Sequence, residues 1–244
     1  MKLENKTIVM TGGSSGVGLE ILRRLAPGNR IVNLSRSAPP RDAGHGDAFD
    51  HVETDLADPV ALERAIERIG TLCPEGIDSL ICCAAVQFTP RLADPTFDRA
   101  TIAREIAVNL TAPIVLVAGL LRGLMRRPGA FVLNVNSGLA LVPKAESAVY
   151  CATKAGLDNF SRGLRAQLAD CPVRVVQAFL PLVDTPMTAG RGTGKLSADE
   201  AARQILEGVE RGVADNDIGK VGLLRLVQRI SPSLARRIIQ GGGR

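Results

Sequence analysis

Tyr150 is the only tyrosine among 244 residues, the chain has no tryptophan, and Lys154 follows four positions later in the stretch YCATK. Residues four apart on a helix share a face, so a helical reading brings a phenol and an ammonium together. A free phenol has a pKa of about 10. A neighbouring ammonium favours the phenolate, and a three-unit shift toward working pH would correspond to roughly 4 kcal/mol. Such a pair can give a proton to a carbonyl oxygen as it becomes an alcohol, or remove one in reverse. Taken singly, Tyr150 reads equally as a half-buried packing residue and Lys154 as a solvated one.

A second group of residues lies near the N-terminus. TGGSSGVG, Thr11 to Gly18, ends an apolar run and opens a helix-spaced segment. Glycines allow a tight turn and close approach of a pyrophosphate to the backbone, and the helix N-terminus behind it offers unpaired N–H groups. A glycine-rich turn alone is weak evidence, but strand, turn and helix in that order at the start of an alternating pattern favour dinucleotide binding.

The spacing Thr-Gly-x-x-x-Gly-x-Gly, with Ser137 thirteen residues before Tyr150 and Tyr150-x-x-x-Lys154, resembles the classical short-chain dehydrogenases/reductases over nearly the whole chain. The extended branch, with its epimerases and dehydratases, is a minor alternative. The resemblance implies that Tyr150 is the acid and base, that Ser137 donates a hydrogen bond to the substrate oxygen and that Lys154 also holds the nicotinamide ribose. It implies that Asn109, in EIAVNLTAP, completes the set through a carbonyl that holds a water. Pro113 lacks the N–H that would occupy that carbonyl in a regular helix. Cofactor contacts implied in the same way are Gly12, Ser14, Ser15, Gly16, Val17, Gly18, Asp55, Leu56, Ala84, Ala85, Pro181, Val183 and Thr185.

Where NAD-preferring relatives often carry an acid after the second strand, this chain has Ser35 and then Arg36. No carboxylate would repel a 2′-phosphate and a guanidinium could pair with it, so NADP(H) is expected, with NAD(H) possible. Arg41 or Ser14 could share that phosphate. Two stretches depart from the family: Cys82-Cys83-Ala84-Ala85 replaces Asn-Asn-Ala-Gly, and Pro181-Leu182 replaces Pro-Gly. The substrate is expected among Leu139, Leu141, Val142, Leu182 and Met187, an apolar set, under a lid that orders on binding. Arg191 or Lys195 in that lid could meet an anionic substrate. The reading is an NADP(H)-dependent reductase of a ketone or aldehyde, with a cofactor-binding regulatory or scaffold protein as the alternative.

The elements that must position these groups alternate. Strands are expected at Thr7–Thr11, Ile31–Ser35, His51–Asp55, Ser79–Ala85, Ala130–Ser137 and Val173–Phe179, with a loop over Arg36–Asp50. Helices are expected from Val17, from Asp58-Pro59 as cap and first turn, over Phe97–Arg127 and Val149–Ala169, and from a capping box at Ser197 and Glu200. This pattern predicts an α/β fold, a doubly wound parallel sheet of the Rossmann type, as a single domain over residues 1–244.

Composition sets the bounds. The chain has ordinary apolar and charged fractions, and no apolar run approaches a membrane span. An odd number of cysteines, five, argues against a disulfide framework and for a cytoplasmic protein. His45 and His51 lack partners at metal spacing, so no metal is expected. The net charge of +5 is concentrated in the last 25 residues, which hold six basic side chains and no acid. This is a basic amphipathic tail over 220–244 and not a nucleic-acid-binding field. A packing helix, split at Ser231-Pro232 and placed at a contact in a homo-dimer or tetramer, is favoured over contact with an anionic membrane surface.

Overall fold

The structure, a computed structural model, describes residues 2–43, 48–89 and 91–241. Its elements run β1 (Thr7–Thr11), α1 (Gly16–Leu25), β2 (Arg30–Ser35), β3 (Phe49–Glu53), α2 (Pro59–Leu72), β4 (Ser79–Cys82) and α3 (Ala100–Ile106). A π-helical turn over Ala107–Thr111 joins α3 to α4 (Ala112–Met125). There follow β5 (Phe131–Ser137), α5 (Ala148–Gln167), β6 (Arg174–Leu180), β7 (Val183–Asp184), β8 (Leu196–Ser197), α6 (Ala198–Glu210), β9 (Asp215–Asp217), α7 (Val221–Ile230) and α8 (Pro232–Gly241).

Seven strands form one parallel sheet in the order β3-β2-β1-β4-β5-β6-β9. The order reverses between β1 and β4, and the crevice at the carboxyl ends of the strands on either side of such a point is where α/β folds bind ligands. Both faces of the sheet are covered. Val9, Val32, Leu80 and Val132 pack with α2 and α4 on one side, while Ile8, Met10, Ile31 and Leu133 pack with α1 and α6 on the other. This explains why the strands read as continuous apolar runs instead of alternating ones.

Local signals act largely as expected. Asp58 caps α2 by accepting from the Val60 N–H at 2.9 Å, and Pro59 occupies the first turn. Ser197 caps α6 by accepting from the Glu200 N–H at 3.1 Å. The capping box is only half made, because the Glu200 carboxylate turns to Arg203 and Gln204. The third strand begins at Phe49, inside the stretch expected as loop, since Phe49 pairs with Ile31. The fourth ends at Cys82, three residues early.

Two features escaped the pattern. Strand β9 is Asp-Asn-Asp, a composition that disfavours strands. It exists because it pairs with the edge of β6 and its acids are used, Asp215 by Arg165 at 2.9 Å and Asp217 by Arg225 at 2.7 Å. The continuous helical stretch Ala100–Met125 is apolar and long enough to cross a membrane by composition, which the run-length reading did not register. Its residues Val108, Leu116, Val117, Leu120 and Leu124 are buried in the core beside β4 and β5, so it serves as a core helix here.

Candidate active site

The glycine loop is shaped by contacts no other residue type would permit. Gly12 has φ of +75°, and a Cβ there would meet the Ala84 backbone at 2.8 Å. A Cβ on Gly18 would lie 2.1 Å from the Gly12 carbonyl oxygen. Buried Asn33 of β2 holds the turn by accepting from the Gly13 N–H at 2.9 Å. Ser15 at the start of α1 is extended and makes no side-chain cap, so the helix N-terminus faces the cavity with its donors uncapped by protein side chains. A backbone cradle with an uncapped helix end fits a pyrophosphate.

One cavity of about 930 Å³ joins this loop to the expected chemistry. Of the cofactor positions inferred from sequence, Gly12, Ser14 to Gly18, Ser35, Arg36, Leu56, Ala84, Ala85, Pro181, Val183 and Thr185 line it. Asp55 does not. Its carboxylate accepts from the Ala57 N–H at 3.0 Å and pairs with Arg104 at 3.1 Å, and Arg104 takes the place on the wall. Arg36 is exposed at the rim, whereas the Ser35 hydroxyl is occupied, donating to the Ser37 carbonyl at 2.8 Å and accepting from Asn33.

Ser137, Tyr150 and Lys154 meet on the same cavity. Ser137 ends β5, and its oxygen accepts from the Leu139 N–H at 3.1 Å, which leaves the hydroxyl proton for donation. A buried network stands behind it: Asn136 accepts from the Ser137 N–H at 2.8 Å and donates to Gln177, which in turn donates to Asp158 and Asp215. Tyr150 and Lys154 project from the first two turns of α5, both buried.

The electrostatics differ from the sequence expectation. Burial pushes the Tyr150 phenol up to about 12, against the Ser137 hydroxyl pulling it down. Burial also drives Lys154 down to about 8, which weakens the very ammonium expected to favour the phenolate. Lys154 Nζ donates to the Val135 carbonyl at 2.9 Å and stands 5.9 Å from the Tyr150 ring centre. In this arrangement Tyr150 keeps its proton at pH 7, and burial makes it a weaker acid than a free phenol.

Asn109 is fully buried and lies behind the wall instead of on it. Its side chain grips the strand-end loop, accepting from the Val86 N–H and donating to the Val86 carbonyl, both at 2.8 Å. Glu105, one turn earlier on the same face, accepts from the Phe88 N–H at 2.8 Å. Sequence reasoning missed Glu105, although its i, i+4 spacing to Asn109 was available. The π-turn between α3 and α4 covers Asn109 and places Pro113 just beyond it. There the Ala112 N–H bonds the carbonyl of Ala107, five residues back.

The Cys82–Ala85 departure is accommodated by Thr11, whose hydroxyl oxygen accepts from the Cys83 and Ala84 N–H groups, each at 3.1 Å. Burial pushes Cys82 up to about 12 and Cys83 up to about 11, so both thiols stay neutral.

On the substrate side Leu139, Leu182 and Met187 line the cavity, but Leu141 and the fully buried Val142 do not. The stretch expected to order on binding already has a fold. Strands β7 and β8 pair across it, Lys195 is held by Asp184 and the Thr188 carbonyl, and Arg191 donates to the Met187 carbonyl. The tail divides at Ser231-Pro232 as expected, and its apolar side forms cavity wall. Arg225 is not solvated: it pairs with Asp217 and stacks over Phe179, with 4.5 Å to the ring centre. His45 and Arg244 lie outside the described residues, while His51 sits on β3.

A parallel doubly wound sheet with a glycine cradle at its switch point and a Ser-Tyr-Lys cluster beside it defines a class of nucleotide-dependent oxidoreductases. The chain belongs to the short chain dehydrogenase family, whose pattern matches residues 6–195. It is 34% identical over 222 residues to the uncharacterised oxidoreductase DltE of Bacillus subtilis, covering 87% of each chain. It is 30% identical to L-xylulose reductase of Bos taurus, over 87% of this chain and 84% of the other. A short chain dehydrogenase from Burkholderia cenocepacia, solved in complex with NADP, superposes with a TM-score of 0.86 at 22% identity, covering 98% of this chain and 99% of that one.

Proposed function

We propose that the protein is an NADP(H)-dependent reductase of a ketone or aldehyde, reversible toward the secondary or primary alcohol. The observation that carries this reading is the convergence of Ser137, Tyr150 and Lys154 on the cavity that the glycine loop opens. When bound, the nicotinamide supplies the hydride. The Ser137 hydroxyl holds the substrate oxygen, and the neutral Tyr150 phenol delivers a proton to it. Lys154, anchored on Val135, stands on the same cavity with its Nζ 5.9 Å from the phenol ring centre, where its charge acts across space. Asn109 and Glu105 act through the backbone of Val86 and Phe88, fixing the loop that faces the cofactor cradle.

The preference for NADP(H) rests on the strand end, where Arg36 reaches the cavity rim and Ser35 stands in the place of an acid. Asp55, the nearest acid inferred for the adenine end, is engaged by Arg104. The NADP held by the Burkholderia protein agrees with this reading. All five cysteines are unpaired, which supports a reducing, cytoplasmic setting.

The test is a titration of NADPH and NADH followed by a panel of carbonyl substrates. Tighter binding of NADPH with turnover of at least one carbonyl is expected. Retained NADPH binding without turnover on any aldehyde or ketone would favour a cofactor-binding regulator instead.

A further inference from the structure

Beyond Ser137 the cavity changes character. Helix α7 lies directly over Gly138, where a Cβ would come within 3.4 Å of Leu224 and 3.5 Å of Val221. Helix α8 is clipped across the same opening by Gln240, which donates to the Pro143 carbonyl and accepts from the Ala145 N–H, both at 3.2 Å. The tail therefore forms the outer wall of the active site, with Leu224, Val227 and Ile239 within and Leu223 and Ile238 at the mouth. Those two residues are 63% and 51% exposed and, unlike the comparably exposed Leu226 and Ile230 of the same tail, they belong to the cavity lining. Two polar pairs stand by this part of the wall: Gln87 donates to Ser147 at 2.9 Å, and Glu146 accepts from Arg91 at 3.1 Å, while Lys144 and Lys220 also line the cavity. A polyhydroxylated substrate would compete with these pairs, whereas an aliphatic chain would cover the apolar wall of α7 and α8 and leave them intact.

We infer that the site takes a carbonyl group carried at or near the end of a long aliphatic chain, the chain running from Ser137 outward between α7 and α8 past Leu223 and Ile238. This rests on the reductase reading for the carbonyl end alone; the chain channel stands on the wall itself. Burying one methylene contributes about 0.8 kcal/mol, or about fourfold in affinity.

The experiment measures, by calorimetry on the intact protein, dissociation constants for straight-chain methyl ketones of about four to fourteen carbons, with ketoses of matched carbon number beside them. NADPH oxidation is followed on the same series. Affinity is expected to tighten by up to about fourfold per methylene at one site per chain, with the ketoses weak. Leu223→Gln with Ile238→Gln should flatten the long end of the series, while Leu226→Gln with Ile230→Gln, outside the cavity, should leave it unchanged. A flat series, tighter ketose binding, or equal loss in both double variants would overturn the inference. Should the polar mouth variant not fold, the wild-type slope still decides. Chain-dependent binding without NADPH oxidation, on this series and on the matching straight-chain aldehydes, would overturn the reductase reading and leave the channel standing.

Discussion

Lys154 bypasses Tyr150. Its Nζ donates to the Val135 carbonyl at 2.9 Å and remains 5.9 Å from the centre of the phenol ring. The two side chains share a helix face, but each is governed first by burial, which moves the phenol up and the ammonium down. Tyr150→Phe should therefore keep the fold and the cofactor affinity and lose turnover by orders of magnitude. Steady-state rates on any accepted carbonyl check this, and retained turnover would exclude Tyr150 as the proton donor.

The Lys154 titration has a defined sign. Its folded-state value near 8 lies below the unfolded value near 10.5, so between them the unfolded chain holds a proton that the folded protein has released. Stability contributed by this group rises with pH across that window. Lys154→Met lacks the gain, and wild type should improve against it by roughly 3 kcal/mol between about pH 8 and 10.5. Denaturant melts of both proteins across that range provide the measurement, made in a Cys82→Ala, Cys83→Ala background because both thiols feel the Lys154 charge. A pH-independent difference would contradict the assignment.

Glu105 offers a second test with the opposite sign. Burial raises its carboxyl, with the Phe88 N–H acting the other way. The folded state thus holds this proton more tightly, favouring folding at acid pH and losing that contribution as pH rises through the folded-state value. Glu105→Gln keeps an acceptor for Phe88 and should be relatively most stable near neutral pH. Glu105→Ala strands the N–H and should cost about 1–3 kcal/mol. Equal stability of the two variants at pH 7 would remove the clamp.

Arg36→Ala should weaken NADPH by about ten- to a hundredfold, roughly 1.5–3 kcal/mol for a charge-assisted pair, and leave NADH almost unchanged. Paired dissociation constants decide, and equal weakening of both cofactors would place the selectivity elsewhere.

Glycines separate the cradle from ordinary helix surface. Gly18→Ala puts a Cβ against the Gly12 carbonyl and should reduce cofactor affinity at least about tenfold, or 1.4 kcal/mol. Gly163 lies exposed on α5 with no atom within 4 Å of a Cβ position, so Gly163→Ala should stabilise by about 0.5–1 kcal/mol. Cofactor titration and thermal melts of the two variants should move in these contrasting ways.

Sequence alone determined what depends on residue type and short-range spacing. The alternation of apolar strands and helices specified the sheet, because strands buried on both faces must be apolar throughout. Gly12, Gly16 and Gly18 specified the cradle because only glycine fits there, and Asp58-Pro59 and Ser197 specified helix starts through local hydrogen bonds. The tertiary structure decided what depends on residues distant in the chain. Strand β9 forms because Arg165 and Arg225 use its acids at a sheet edge, a reason invisible in Asp-Asn-Asp itself. Asp55 is off the cavity wall, paired with Arg104, which takes the place on it. The altered charge balance of Tyr150 and Lys154 follows from desolvation, which spacing does not report. The tail became cavity wall because α7 packs on Gly138 and Gln240 fastens α8 to the loop after Ser137. Amphipathic periodicity shows that a helix has an apolar side, while only the packed fold shows what that side faces.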